Sequence, residues 1–393
     1  MSEWSNWSGS VRFTPAAVVV PENEEELARI IRRAGDEKQT VRVSGAGHSS
    51  TPLVQTPDIL VSMKNFNGFV ARDGATIAIR GGTMLTEANE IFLEHGLALE
   101  NLGDVDLQAL AGAIGTGTHG TGRNLRTMSN HLVGGRLVNG KGEIVDFSIK
   151  DDPDFTLAAR VALGTLGIFT ELRLKLVPAF HLHRKEWCTH IEDCMVNLDK
   201  LIASNRNFDF YWYPRSDEAK LRTLNIPGTG PKDIPYAWCQ KERTGWSGDV
   251  IPRSRGNKFD EIEYWLPIEN GPPCFEEIRQ RIKDVHRKDV GWRVLYRTVA
   301  ADEAMLSGAY GRASATISMH HNASLPHDAF FRDIEPYLTK YGGRPHWGKK
   351  HYQTATNLKQ LYPRWDHFQG IRRSMDPEGV FMNAYLRTIF EEG

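Results

Sequence analysis

Val41-Arg42-Val43-Ser44-Gly45-Ala46-Gly47-His48-Ser49-Ser50 is a short β-type run that breaks directly into a glycine turn. A strand opening into glycines can bring several main-chain N–H groups onto a phosphate with no side chains in the way. The hydroxyls of Ser44, Ser49 and Ser50 add donors to the same turn. The third glycine of the G-x-G-x-x-G dinucleotide fingerprint is missing, and no Lys-Ser/Thr pair follows, so neither a Rossmann turn nor a P-loop is encoded. His48 has two readings at this point: a loop histidine capping its neighbours, or an imidazole directed at the group the turn holds.

Working outward, Asn23 followed by Glu24-Glu25-Glu26 predicts a capped helix start, with Leu27, Ile30 and Ile31 at helical spacing and an end near Asp36. Thr76-Ile77-Ala78-Ile79-Arg80 reads as a strand closed by Gly81-Gly82. Leu85, Ala88, Ile91 and Phe92 predict a second amphipathic helix, closed by His95-Gly96. Strands are expected over residues 132–137, 144–149 and 168–177. From Pro178 the texture changes: residues 180–330 are richer in aromatics and contain a loop-like stretch over 227–257, which marks a second domain. A helix is expected near residues 365–375, stopped by Asp376-Pro377-Glu378-Gly379.

Residues 101–122 hold six glycines and include Gly115-Thr116-Gly117-Thr118-His119-Gly120-Thr121-Gly122. A helix or strand this rich in glycine is unstable by propensity, so the stretch reads as main chain approaching a ligand. Two such stretches clamping one ligand imply an elongated cofactor of the size of FAD. Net charge adds no pull of its own: 48 basic residues stand against 49 acidic ones, which argues against nucleic acid and anionic membrane as partners. No apolar run approaches the ~20 residues of a membrane span. Cys188, Cys194, Cys239 and Cys274 lack zinc-ligand spacing and read as reduced thiols of a cytoplasmic protein.

Gly45-Ala46-Gly47-His48-Ser49, Asn101-Leu102-Gly103-Asp104, the Gly/Thr stretch over 115–122, His346-Trp347-Gly348-Lys349 and the tail over 376–386 occur in this order. Together they resemble the aldonolactone oxidase and alditol oxidase branch of the vanillyl-alcohol-oxidase flavoprotein family, over nearly the whole chain. The resemblance implies an α+β fold: a PCMH-type FAD-binding domain of two subdomains over 1–178, an α+β cap domain over 179–340, and a C-terminal segment over 341–393 that returns to the flavin. It implies FAD joined covalently through His48 to the flavin 8α carbon, a linkage that favours substrate oxidation. Arg42, Ser44, Gly45, Ala46, Gly47, His48, Ser49 and Ser50 would wrap the pyrophosphate. Ala111, Gly112, Gly115, Thr118 and His119 would run along the flavin and ribityl chain. Ile168 would meet the adenine end, and His346 and Asn383 would complete the cofactor contacts.

The resemblance also implies catalytic roles. Lys349 would stabilise the anionic reduced flavin. Gly103 would leave open the path of oxygen to the ring, the alternative reading being a residue that merely supplies a turn. Relatives carry Glu-x-Arg where this chain reads Leu295-Tyr296-Arg297, so Arg297 is kept to orient the substrate oxygen and the acid is lost. His320 or His321 is then the candidate general base, and strand alternation favours His320. The expected reaction is hydride transfer from a CH–OH carbon of an L-gulono-, L-galactono- or D-arabinono-1,4-lactone to flavin N5, followed by reoxidation with O2 to hydrogen peroxide. An alditol substrate, or a quinone or cytochrome acceptor, is the alternative.

Overall fold

The computed structural model describes residues 3–250, 257–288 and 290–391. The glycine turn grows out of a three-stranded parallel sheet. Its strands are β1 (Ala17–Val19), β2 (Val41–Ser44) and β3 (Ile59–Ser62), in the order β1-β3-β2. Helix α1 (Glu24–Asp36) connects the first two; the Asn23 side chain caps it by accepting from the Glu26 N–H at 2.9 Å. Acidic residues fill its first turn and Leu27, Ala28, Ile31 and Ala34 form its buried face, so cap, dipole and apolar stripe agree.

A second, antiparallel sheet follows from β4 (Phe69–Asp73), β5 (Thr76–Arg80), β6 (Leu132–Val138), β7 (Ile144–Ser148) and β8 (Ile168–Lys175). The order is β7-β6-β8-β5-β4. Helices α2 (Leu85–Glu94) and α3 (Leu110–Gly115) lie between β5 and β6 in the chain. Leu85, Ala88, Phe92, Leu110 and Ile114 from these helices share one apolar core with Ile77, Leu137 and Leu172 of the sheet.

The cap is an eight-stranded sheet built from β9 (His181–His190), β10 (Asn207–Tyr213), β11 (Glu218–Asn225), β12 (Trp238–Trp246), β13 (Phe259–Pro267), β14 (Val294–Val299), β15 (Ser314–Asn322) and β16 (Arg344–Pro345), with helices α4 (Gly271–Arg281) and α5 (Asp328–Lys340). Strand order is β12-β9-β11-β10-β14-β15-β13-β16. Period-2 alternation divides the sheet into two faces. Phe210, Trp212, Ile262, Tyr264, Tyr296, Ile317 and Met319 pack with Phe275 and Ile278 of α4 and Phe331 and Ile334 of α5. The residues between them (Tyr211, Glu261, Glu263, Leu295, Arg297 and His320) line a cavity on the opposite face.

The stretch over 227–257, expected as a loop, contains the edge strand β12 and a helical turn, Ser247–Val250; residues 251–256 of it lie outside the described residues. β12 is exposed along nearly its whole length, so it carries no buried-face pattern to betray a strand. After β16 the chain leaves the cap as α6 (Ala355–Leu361), α7 (Trp365–Met375) and α8 (Ala384–Phe390). Leu358, Phe368, Leu386 and Phe390 of these helices join the core of the second sheet. No described helix is long and apolar enough to cross a membrane, and the four cysteines are free thiols.

Candidate active site

Two cavities meet at His48. The larger, about 320 Å³, runs from Ser44–Ser49 and Ser62 to Leu163, Gly167, Ile168 and Phe169, with Ala111, Gly112 and Gly115 along one wall. The main chain of the turn is oriented for it. The Gly47 carbonyl accepts from Trp7 N–H (2.7 Å) and the Ser49 carbonyl from Asn6 Nδ2 (2.9 Å), which turns both oxygens toward the N-terminal segment. Gly47 sits at φ +68°, where a side chain would be strained. On the opposite wall, a Cβ added at Gly112 or Gly115 would meet no atom within 4 Å, so both glycines open onto free space. An elongated cofactor with an anionic middle fits this lining.

The smaller cavity, about 110 Å³, shares His48, Ser49, Gln108 and Thr116 with the larger. Gly103, Asp104, Thr118 and His119 line it from the cofactor side, Tyr211, Glu261, Glu263, Leu295, Arg297 and His320 from the cap sheet, and His346, Gly348 and Lys349 from the C-terminal return. Two motifs some three hundred positions apart are tied here by main-chain bonds. Ser50 N–H donates to Gly348 O and Thr51 Oγ to Trp347 O, each at 2.8 Å, so Lys349 is held next to His48. The stretch over 119–122 docks on the cap: Gly122 N–H donates to Thr298 O at 2.7 Å and Thr121 Oγ to Phe208 O. A Cβ at Gly120 would fall 2.2 Å from Leu102 O, so this glycine serves close packing of main chain, whereas Gly112 and Gly115 serve the cavity.

Strand register assembles the charged groups. Tyr211 lies opposite Leu295, Leu295 opposite Ser318, and Ser318 opposite Glu263, while Glu261 lies opposite His320. Arg297 Nη2 donates to Glu263 Oε1 at 2.5 Å and Arg297 Nη1 to His119 O at 3.3 Å. His119 Nδ1 donates to Gly120 O (2.9 Å), leaving Nε2 facing Arg297 (3.4 Å) and Glu263 (3.2 Å). His119, Glu263 and His346 come within metal-ligand range of one another, and Arg297 is the cation that contacts Glu263 and His119. Arg297 holds the Glu263 carboxyl well below its ordinary range despite burial. Burial pushes His346 down to about 3 and lowers His119, with Arg297 adding to both, so both imidazoles stay neutral.

Burial also draws Lys349 down to about 8, against the pull of Asp260 and Asp104. His48 falls to about 4, through burial first and the neighbouring Lys349 second, with a hydrogen bond to the Leu107 main chain opposing. Its ring stacks on Trp7, with centroids 5.3 Å apart. A neutral imidazole at the junction of the two cavities is the protonation state in which a ring nitrogen keeps its lone pair.

Residues named from the sequence divide into those that face a cavity and those that do not. Arg42 borders the larger cavity, and four of its five guanidinium N–H donors go to the carbonyls of Leu53, Leu163, Gly164 and Phe381, which leaves one for a ligand. Asn383 lines neither cavity. Its side chain caps α8 and donates to the carbonyls of Pro52, Leu53 and Gln55, so it clasps the C-terminal helix to the loop after the glycine turn. Of the two neighbouring histidines, His320 lines the cavity, while His321 packs against His327 and Phe330 on the other face. Glu261 and Glu263 were missed. Glu261-Ile262-Glu263-Tyr264 alternates acid and apolar residues at strand period, which was the available signal for two carboxylates on one face.

A two-subdomain cofactor domain, a polar cavity under an α+β cap and a histidine between them define an FAD-dependent oxidoreductase. The chain matches the FAD binding domain family over residues 15–148 and the D-arabinono-1,4-lactone oxidase family over residues 172–243 and 235–389. It is 35% identical to the L-gulono-1,4-lactone dehydrogenase of Mycobacterium tuberculosis, covering 98% of both chains. It is 26% identical to the L-gulonolactone oxidase of Mus musculus, covering 99% of this chain and 98% of the relative. Its fold is similar to that of the cholesterol oxidase from Brevibacterium sterolicum, with a TM-score of 0.88, 15% identity, and coverage of 99% of this chain and 96% of the other. The chain belongs to the D-arabinono-1,4-lactone oxidase family of flavoproteins, which takes in aldonolactone oxidases and dehydrogenases.

Proposed function

We propose that this protein oxidises a CH–OH carbon of a sugar-derived 1,4-lactone of the L-gulono, L-galactono or D-arabinono type, with O2 as electron acceptor and FAD attached through His48. The observation that carries this reading is the convergence of Arg297, Lys349, Glu261 and Glu263 in a cavity that opens onto the cofactor cavity at His48. Bound FAD supplies the two-electron acceptor beside the reacting carbon. Arg297, kept cationic by Glu263, presents positive charge to the substrate oxygen, and its fixed geometry lets it do so without reorganising. Lys349, beside His48, offers a cation where negative charge gathers on the cofactor. Tyr211, Phe259 and Leu295 form an apolar wall that keeps the lactone ring face dry.

Gly103 supports the oxygen reading. An added Cβ would stand 3.0 Å from Thr118 Cγ2, so this wall of the cavity is narrow enough for one methyl group to matter. The dehydrogenase name of the M. tuberculosis relative favours a second reading, in which electrons pass to another acceptor. We further propose that the protein works in a cytoplasmic setting, in keeping with its four free thiols. The test is a panel of 1,4-lactones and alditols followed by anaerobic bleaching of the flavin and then by peroxide release on admitting air. Bleaching by lactones with prompt peroxide release is expected. Bleaching by alditols alone refutes the lactone reading, and slow reoxidation refutes the oxidase reading.

A further inference from the structure

Polar groups in the smaller cavity converge on Glu261. Its Oε2 accepts from Ser318 Oγ at 2.8 Å and lies 2.8 Å from His320 Nε2, while its Oε1 contacts Lys349 Nζ. His320 has its other ring nitrogen, Nδ1, 3.3 Å from the Arg293 carbonyl. Both nitrogens of His320 thus face oxygen acceptors, and neither presents a lone pair to a substrate hydroxyl. Two other carboxylates line the cavity. Glu263 is engaged through Oε1 by Arg297 and His119, and the Arg297 charge holds it well below the ordinary carboxylate range, which makes it a weak proton acceptor although its Oε2 has no partner. Asp104 accepts from Tyr211 and Arg222 and belongs to the tie between the cofactor domain and the cap. Leu295, across Ser318 from Glu263, offers no polar atom.

We propose that Glu261 takes the hydroxyl proton of the substrate, with Ser318 and His320 as positioning residues that aim its carboxylate. The proposal rests on reading the site as one that oxidises an alcohol carbon. In the step, the C–H bond breaks and its hydrogen leaves with the bonding pair, as hydride, to the flavin oxidant. The O–H bond breaks and its proton goes to the Glu261 carboxylate, and a C=O bond forms. Lys349, touching the same carboxylate, is the group through which that proton is returned to water.

Glu261→Gln in the holoenzyme keeps the size of the side chain and removes its proton affinity. It is expected to lower kcat by about 10²–10⁴-fold while leaving KM little changed. The affinity for a lactone lacking the reacting hydroxyl, read by calorimetry, is expected to be unchanged. Leu295→Glu in the Glu261→Gln background places a carboxylate beside Ser318 again and is expected to recover part of the lost kcat. His320→Asn should cost less than Glu261→Gln and act on kcat more than on KM. An unchanged kcat in Glu261→Gln overturns the proposal. So does a joint loss of kcat and analogue affinity that Leu295→Glu does not repair, because Glu261 would then hold the cavity together and take no proton. If the unaltered enzyme oxidises no alcohol in the panel, it is the underlying reading that fails, and the calorimetric arm still reports what Glu261 does for binding.

Discussion

Replacing Gly112 by leucine should leave the fold intact and block the cofactor. Gly112 lies within α3, and an added Cβ meets nothing within 4 Å, because the next thing along that direction is the cavity of about 320 Å³. Gly112→Ala should therefore be tolerated and gain up to about 1 kcal/mol in helix propensity. Gly112→Leu pushes three more carbons into space the cofactor needs. Overpacking of that kind costs about 1–3 kcal/mol, which at a tenfold change per 1.4 kcal/mol means roughly 5- to 150-fold weaker flavin binding. The assay is fluorescence titration of apoprotein with FAD, done in a His48→Ala background so that binding is reversible, with far-ultraviolet circular dichroism to monitor the fold. Gly112→Leu that binds FAD as tightly as its parent would refute the placement of the cofactor. Gly112→Ala that unfolds the protein would refute the open space.

Three further outcomes follow from the same geometry. Gly103→Ala should slow reoxidation of the reduced enzyme by air by about tenfold, one 1.4 kcal/mol step in barrier, and leave anaerobic reduction alone; stopped-flow measurement of the two half-reactions separates them, and equal slowing of both counts against an oxygen path at Gly103. Turnover should decline as pH rises through about 8, because the buried Lys349 ammonium loses its proton there and its charge with it. The alkaline limb should be absent in Lys349→Met, and a limb that persists assigns it to another group. Glu263→Gln strands the buried Arg297 charge, whose partner carboxylate has 0% side-chain exposure; the expected loss is about 3–5 kcal/mol in denaturant unfolding, together with activity, and a loss below about 1 kcal/mol contradicts the pairing described here.

The parts of the fold that could be read from the chain are those written in local patterns. Asn23 and three following acids announce α1, and the glycine turn announces itself by what glycine alone permits at Gly47. β12 escaped because an exposed edge strand carries no alternation. The site was half legible for a related reason. His48, Gly103 and Lys349 stand in motifs, whereas Glu261, Glu263, Arg297 and His320 meet only through the register of three neighbouring strands. The family resemblance marks Leu295 as standing where an acid is expected, but no local pattern shows that acids stand two strands away. Asn383 misleads in the opposite direction: it lines neither cavity and spends its amide donors on main-chain carbonyls, whereas Arg42 does line the larger cavity.

At the centre of this account stands His48, neutral, stacked on Trp7 and placed where the two cavities join. Acid precipitation of the purified protein tests it most directly. A yellow pellet whose flavin survives washing, and which turns colourless in His48→Ala with the flavin left in the supernatant, is the predicted result. A wild-type pellet without flavin would contradict the covalent anchor, and the absence of flavin from both fractions would contradict the cofactor itself.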